Sequence, residues 1–216
     1  MTAKPITVFW FRRDLRLEDN VGLYQALQSG YPVLPLFIFD DAILEHLPKD
    51  DARVTFIYES LSKINEKLAE FGSSLLVKKG KTQDVWQQLI TEFEVKVLFF
   101  NKDYEPYAIN RDQHITELLA QNGVKVQAFK DQVIFEEAEI TKADGLPYTV
   151  YTPYKNKWLE KYKTIAPVTE HETTVFSENW LASSFVFPSL SAIGFETSSI
   201  KVKPHNLTKI ANYHET

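Results

Sequence analysis

Between Ile6 and Lys130 the chain alternates short apolar runs with segments of helical periodicity, and no other feature narrows its fold as much. The runs are Ile6 to Phe11, Val33 to Phe39, Ser74 to Val77, Val95 to Phe100 and Val124 to Phe129. The segments between them, near 19–29, 51–71, 82–93 and 107–122, read as helices. In the second, Phe56, Leu61, Ile64 and Leu68 recur on one side, Glu59, Lys63, Glu66 and Lys67 take the other, and Gly72 supplies a C-terminal stop. Strands buried on both faces appear as continuous apolar runs, and strand–helix alternation calls for right-handed crossovers. The prediction is an α/β fold: a Rossmann-like, doubly wound, five-stranded parallel sheet with helices on both faces.

The alternation stops at Lys130, which divides the chain into an α/β domain over 1–130 and an extension and connector over 131–216. Within the extension, Tyr148, Tyr151, Tyr154, Trp158 and Tyr162 supply aromatic bulk for packing up to residue 165. Beyond it, Pro167, Pro188 and Pro204 among many Ser and Thr suit a connector laid on a surface. A new helical pattern opens near Leu207 just before the last residue, which reads as truncation ahead of a further domain.

Several function classes are disfavoured. A net charge of −5 gives no general attraction for nucleic acid, and the absence of cysteine removes thiol chemistry and cysteine-ligated metals. No two of the five histidines stand at helical i, i+3 or i, i+4 spacing, so no metal site is predicted. No Gly-x-Ser-x-Gly elbow is present, and the first strand-to-helix turn has no Gly-x-Gly-x-x-Gly. Gly80-Lys81-Thr82 resembles the tail of a P-loop, but Leu75 stands where the motif needs glycine, and Thr82 reads as a helix N-cap. The start holds no signal-peptide core and no stretch is apolar enough to span a membrane, which points to the cytoplasm.

What remains is charge at the strand ends. The first strand runs into Arg12-Arg13-Asp14 and Arg16, the second into Asp40-Asp41 and on to Arg53, and the fourth into Asn101-Lys102-Asp103-Tyr104-Glu105-Pro106-Tyr107. Carboxyl ends of parallel strands share one edge, where open α/β sheets bind ligands. Tyr104 and Tyr107 offer flat faces, Asp103 and Glu105 acceptors, and Arg53 a bidentate donor, a set that suits a planar, polar-edged molecule better than a triphosphate. The plainer alternative is a group of solvated surface residues around an empty cleft.

These residues resemble the N-terminal domain of the DNA photolyase and cryptochrome family. Trp10-Phe11-Arg12-Arg13-Asp14-Leu15-Arg16-Leu17 with Asp19-Asn20 matches its opening signature. Leu36 to Asp40, Arg53 with Phe56 and Glu59-Ser60-Leu61, Tyr104 to Tyr107 with Arg111-Asp112, and Tyr151 to Tyr154 with Trp158 follow in order. The resemblance implies a parent enzyme, a deoxyribodipyrimidine photolyase. A larger helical domain, absent from this sequence, would hold FAD and bind pyrimidine-dimer DNA. Blue light would drive an electron from reduced FAD into the dimer and split it. The α/β domain would carry a light-harvesting antenna, and the chain alone is predicted to be inactive. A cryptochrome photoreceptor is the alternative. A stress-protein-like ATP-binding module is a third reading, opposed by the lack of a glycine-rich loop.

The resemblance also speaks to the antenna. Folate-binding members place Asn-Glu where this chain has Tyr107-Ala108, which counts against methenyltetrahydrofolate. Members that bind a deazaflavin match this chain at Phe37, Asp40, Arg53, Asp103 and Glu105, so deazaflavin or FMN is the expected chromophore. Tyr213 corresponds to a tyrosine near FAD, and no catalytic residue is assigned within the chain. The arginine cluster after the first strand is expected to fix the first loop and to face the helical domain through paired charges.

Overall fold

The computed structural model describes residues 4–165, 168–202 and 210. Its sheet contains β1 (Ile6–Phe11), β2 (Val33–Asp40), β3 (Leu76–Gly80), β4 (Val95–Asn101) and β5 (Lys125–Phe129) in the order β3-β2-β1-β4-β5, with every pair parallel. The chain steps outward from β1 through β2 to β3, then returns to place β4 on the other side of β1. The crevice at the β1/β4 switch point is where such sheets bind ligands. The predicted α/β architecture is therefore the observed one.

Alternation along the strands builds two cores. Phe9 and Phe11 of β1 face one layer with Leu23 and Leu27 of α1 (Val21–Leu27). Leu61, Ile64 and Leu68, from the helix at Ala52–Glu70, complete that layer. Ile6, Val8 and Trp10 face the opposite layer, formed with Val85, Trp86 and Leu89 and with Ile115 and Leu119. Between β2 and the Ala52–Glu70 helix lies a short α2 (Asp41–Leu44), which makes the longer helix α3; α4 (Thr82–Glu92), α5 (Pro106–Gln121) and α6 (Tyr151–Tyr162) follow. The two outer strands account for the weaker sequence signal there. Lys78 and Lys79 extend β3 past the predicted Ser74–Val77 because an edge strand tolerates lysine.

Helix ends follow local chemistry. Asn20 caps α1 by accepting the Leu23 N–H at 3.1 Å. At the end of α3, Gly72 adopts φ +69°, and the N–H groups of Ser73 and Gly72 return to the carbonyls of Leu68 and Ala69, as the glycine stop predicted. Phe56 does not join the core: it is 47% exposed, and Val54 and Thr55 are buried in its place. Thr82 is not the N-cap of α4. Lys81 holds that position, and the Thr82 hydroxyl turns instead to the carboxylate of Asp40.

Past β5, none of the α6 side chains is fully buried, so its aromatic residues pack only partly, as in the stacked pair Trp158 and Tyr162. The later stretch goes deeper than a surface connector. Trp180, Leu190, Ile193 and Phe195 are buried in the core that faces α1 and α3, and the Leu181 N–H donates to the Val33 carbonyl at 2.8 Å. Tyr213 lies outside the described residues.

Candidate functional site

The charged cluster after β1 folds into a set of mutual partners. The Arg12 side chain is buried; its guanidinium binds Asp112 and the Asn101 carbonyl and lies 4.4 Å from the Phe100 ring centre. Burial pulls its pKa below the ordinary guanidinium value, and Asp112 opposes that shift. Asp14 accepts the Arg12 N–H at 2.9 Å and the Asn101 side-chain amide at 2.6 Å. Arg16 grips both oxygens of Asp131, at 2.8 and 2.9 Å, while Asp131 also accepts the Val21 N–H at the start of α1. Arg12, Asp14 and Arg16 are thus structural ties within this chain. Arg13 differs, standing exposed with Glu105 at 2.5 Å and Asp103 at 3.7 Å.

Beside this cluster a cleft of about 280 Å³ opens over the carboxyl ends of β1 and β2 and the first turn of α5. Its floor is apolar and aromatic, with Trp10, Phe11, Phe37 and Phe39, and α2 and α3 add Ile43, Leu44, Val54 and Ile57. Its polar rim carries three arginines (Arg12, Arg13, Arg111) and three acids (Asp40, Asp103, Glu105), so charge balances across the opening. No glycine lines it, which leaves no close backbone approach for phosphates. The guanidinium of Arg111 lies 4.9 Å from the Trp10 ring centre, within cation–π range, and is held at 3.0 Å by the same Asp112 that binds Arg12.

Four of the five residues nominated from sequence, Phe37, Asp40, Asp103 and Glu105, line this cleft. Arg53 is not among its lining residues. Its guanidinium folds back to Asp51 at 2.7 Å, and its side chain is 72% exposed. The reason is local: Asp51 caps α3 through the Arg53 N–H at 2.8 Å, which brings the two side chains together.

Sequence reasoning missed the wall supplied by α2. The signal was available, because an aspartate directly before Asp41-Ala42-Ile43-Leu44 is a helix N-cap pattern. Asp40 performs that role, accepting the Ala42 N–H at 3.1 Å through Oδ1. Its Oδ2 accepts the Thr82 hydroxyl at 2.8 Å and the Tyr107 phenol at 2.5 Å. Burial, followed by the hydrogen bond to Asp40, pushes the Tyr107 phenol up to about 12.

The sequence model for DNA photolyase matches residues 7–173 of the chain. The chain belongs to the DNA photolyase family. Among its relatives, the deoxyribodipyrimidine photo-lyase of a Synechococcus species is 30% identical over 99% of this chain and 45% of its own length. Cryptochromes are relatives as well. The structure of a class III photolyase from Agrobacterium tumefaciens matches 99% of this family member and 42% of its own chain, with TM-score 0.72 and 25% identity. An archaeal photolyase from Sulfolobus tokodaii, described with two FAD molecules and a novel light-harvesting cofactor, matches 90% of this chain and 43% of its own, with TM-score 0.70 and 27% identity. The chain therefore spans less than half the length of these photolyases. Among the described residues, no helix is long and apolar enough to cross a membrane.

Proposed function

We propose that this chain is the light-harvesting domain of a blue-light-dependent DNA photolyase, and that its cleft binds a flavin-type antenna, a deazaflavin or FMN in preference to methenyltetrahydrofolate. The observation that carries this reading is the cleft itself: an aromatic floor under a charge-balanced rim, in a member of this family. Its volume lies just under the roughly 300–1,000 Å³ typical of small-molecule sites, which suits a ring system with its substituents at the open mouth. Phe37 and Trp10 offer ring faces; Asp103 and Glu105 accept hydrogen bonds at the rim, and Arg13 neutralises them. When bound, such a chromophore supplies excitation energy to FAD held in a further, helical domain. In the whole protein, reduced FAD would then pass an electron to a pyrimidine dimer in DNA and split it, a reaction suited to the cytoplasm. Within this chain only Tyr213, outside the described residues, is put forward as a contact to FAD, and no residue as a contact to dimer-containing DNA.

Titrating the purified chain with FMN, riboflavin and methenyltetrahydrofolate, followed by absorbance and fluorescence anisotropy, tests the antenna reading. Saturable flavin binding without folate binding is the expected result, and folate binding alone would overturn it. A cryptochrome-type photoreceptor is the second reading, supported by the cryptochromes among the relatives. A blue-light dimer-repair assay on the full-length protein separates the two.

A further inference from the structure

The cleft contains a hydrogen bond that a ligand must contend with. Asp40 is buried at the end of β2, and three donors reach its carboxylate. Two belong to the framework: the Ala42 N–H in the first turn of α2 and the hydroxyl of buried Thr82 at the start of α4. The third, the Tyr107 phenol, comes from the first turn of α5 on a side chain that is 44% exposed. Because β1 lies between β2 and β4, this phenol spans the end of β1 to reach Asp40. Tyr107 and Asp40 both line the cleft.

A ring that takes the place on Asp40 Oδ2 held by the phenol must move Tyr107 aside. The Ala42 N–H cannot yield without disturbing the start of α2 and the Thr82 hydroxyl is buried, whereas Tyr107, on an exposed side chain, can swing toward solvent by a rotamer change. Breaking a hydrogen bond to a charged acceptor in a buried place is costly unless another donor replaces it. We propose that Tyr107 is the specificity-determining residue of the cleft, a stand-in donor on Asp40 that gives way to planar heteroaromatic rings whose edge carries an N–H. The imide N–H of a flavin or deazaflavin has this chemistry; a ring whose corresponding nitrogen is alkylated does not. The inference rests on the flavin-type reading of the cleft and adds to it a reason for selectivity.

The test compares riboflavin with 3-methylriboflavin, in which the imide N–H is replaced by N-methyl. Each is titrated by fluorescence anisotropy against the unaltered chain and against Tyr107→Phe, with circular dichroism to confirm folding. The unaltered chain should bind the methylated ligand about tenfold or more weakly, since an unmatched acceptor and a steric clash coincide. Tyr107→Phe should bind riboflavin about three- to tenfold more tightly, because no phenol competes for Asp40. Riboflavin binding that is unchanged or weakened in Tyr107→Phe would overturn the inference while leaving the flavin site standing. Equal affinity for the two ligands in the unaltered chain would do the same. Absence of binding by both proteins would overturn the flavin-type reading itself, and the inference with it.

Discussion

The Gly22 N–H donates to Asn101 Oδ1 at 2.8 Å, and a β-carbon on Gly22 would stand 2.6 Å from that same oxygen. The Asn101 amide cannot retreat freely, because its nitrogen donates to Asp14 at 2.6 Å and to Asn20 at 2.8 Å. This contact closes the end of β4 onto the first turn of α1. Gly22→Ala should destabilise the chain by about 1–3 kcal/mol, overpacking outweighing the gain of about 1 kcal/mol in helix propensity. Urea melts of the two proteins measure the difference.

Asp112 holds two guanidinium groups, Arg12 with 5% of its side chain exposed and Arg111 with 11%. Asp112→Ala leaves both cations without their carboxylate and should cost about 3–5 kcal/mol. Glu105→Gln, which alters the exposed pair with Arg13, should change stability by less than about 1 kcal/mol. Equal losses in denaturant melts would contradict this ranking.

The acid limb of stability should involve Asp51. Its hydrogen bonds with the Arg53 side chain, foremost among the causes, lower its pKa from the ordinary 3.8 to about 2. The unfolded chain then binds the proton more readily, so the contribution is present above pH 3.8 and is lost as pH falls toward 2. Solvent at the exposed Arg53 keeps it small. Asp51→Ala should cost about 1 kcal/mol at neutral pH through the lost cap and should flatten this part of the stability curve, read from melts between pH 2 and 5.

Alkali acts through tyrosine. Tyr104, half-buried and bonded to Glu136, is pushed up to about 12, as is Tyr107. A phenol with a raised folded-state pKa stabilises the fold below its ordinary value of 10 and loses that contribution as pH rises toward 12. Ultraviolet titration should show two late-ionising tyrosines in the folded chain, one of which disappears in Tyr107→Phe.

Arg53 pairs with Asp51 and is not among the residues that line the cleft. Arg53→Ala should therefore change flavin affinity by less than about twofold, whereas Asp103→Ala, at the rim, should weaken it by about three- to tenfold. Anisotropy titration of the two variants decides whether the cleft or the spacing pattern is the better guide.

The sheet was legible because its inner strands are buried on both faces and leave nearly continuous apolar runs between turns. β3 was misplaced by two to three residues for the opposite reason: an edge strand is free to carry Lys78 and Lys79, which look like turn residues. The convergence of Phe37, Asp40, Asp103 and Glu105 followed from parallel topology, which brings distant strand ends to one edge. Arg53 fell outside because spacing along a chain does not say which neighbour a flexible guanidinium prefers, and a capping aspartate two residues away outcompeted the cleft. Nor did composition reveal that Trp180 packs inside, since prolines and serines around it resemble any surface loop.

That last packing changes what counts as a separable piece of this molecule. Asn179 donates to the Leu27 carbonyl at 2.8 Å, Thr173 to Leu17 at 2.6 Å, and the Ser198 N–H to Thr55 at 3.0 Å, so the stretch from 173 to 198 stitches α1 to α3 across one face of the sheet. A cut at Lys130, where the strand–helix alternation ends, would take Trp180, Leu190, Ile193 and Phe195 out of the hydrophobic layer they share with Leu23, Leu27 and Ile64. The packing of this face therefore runs on to Ser198, and the stretch that carries it is masonry, not tether.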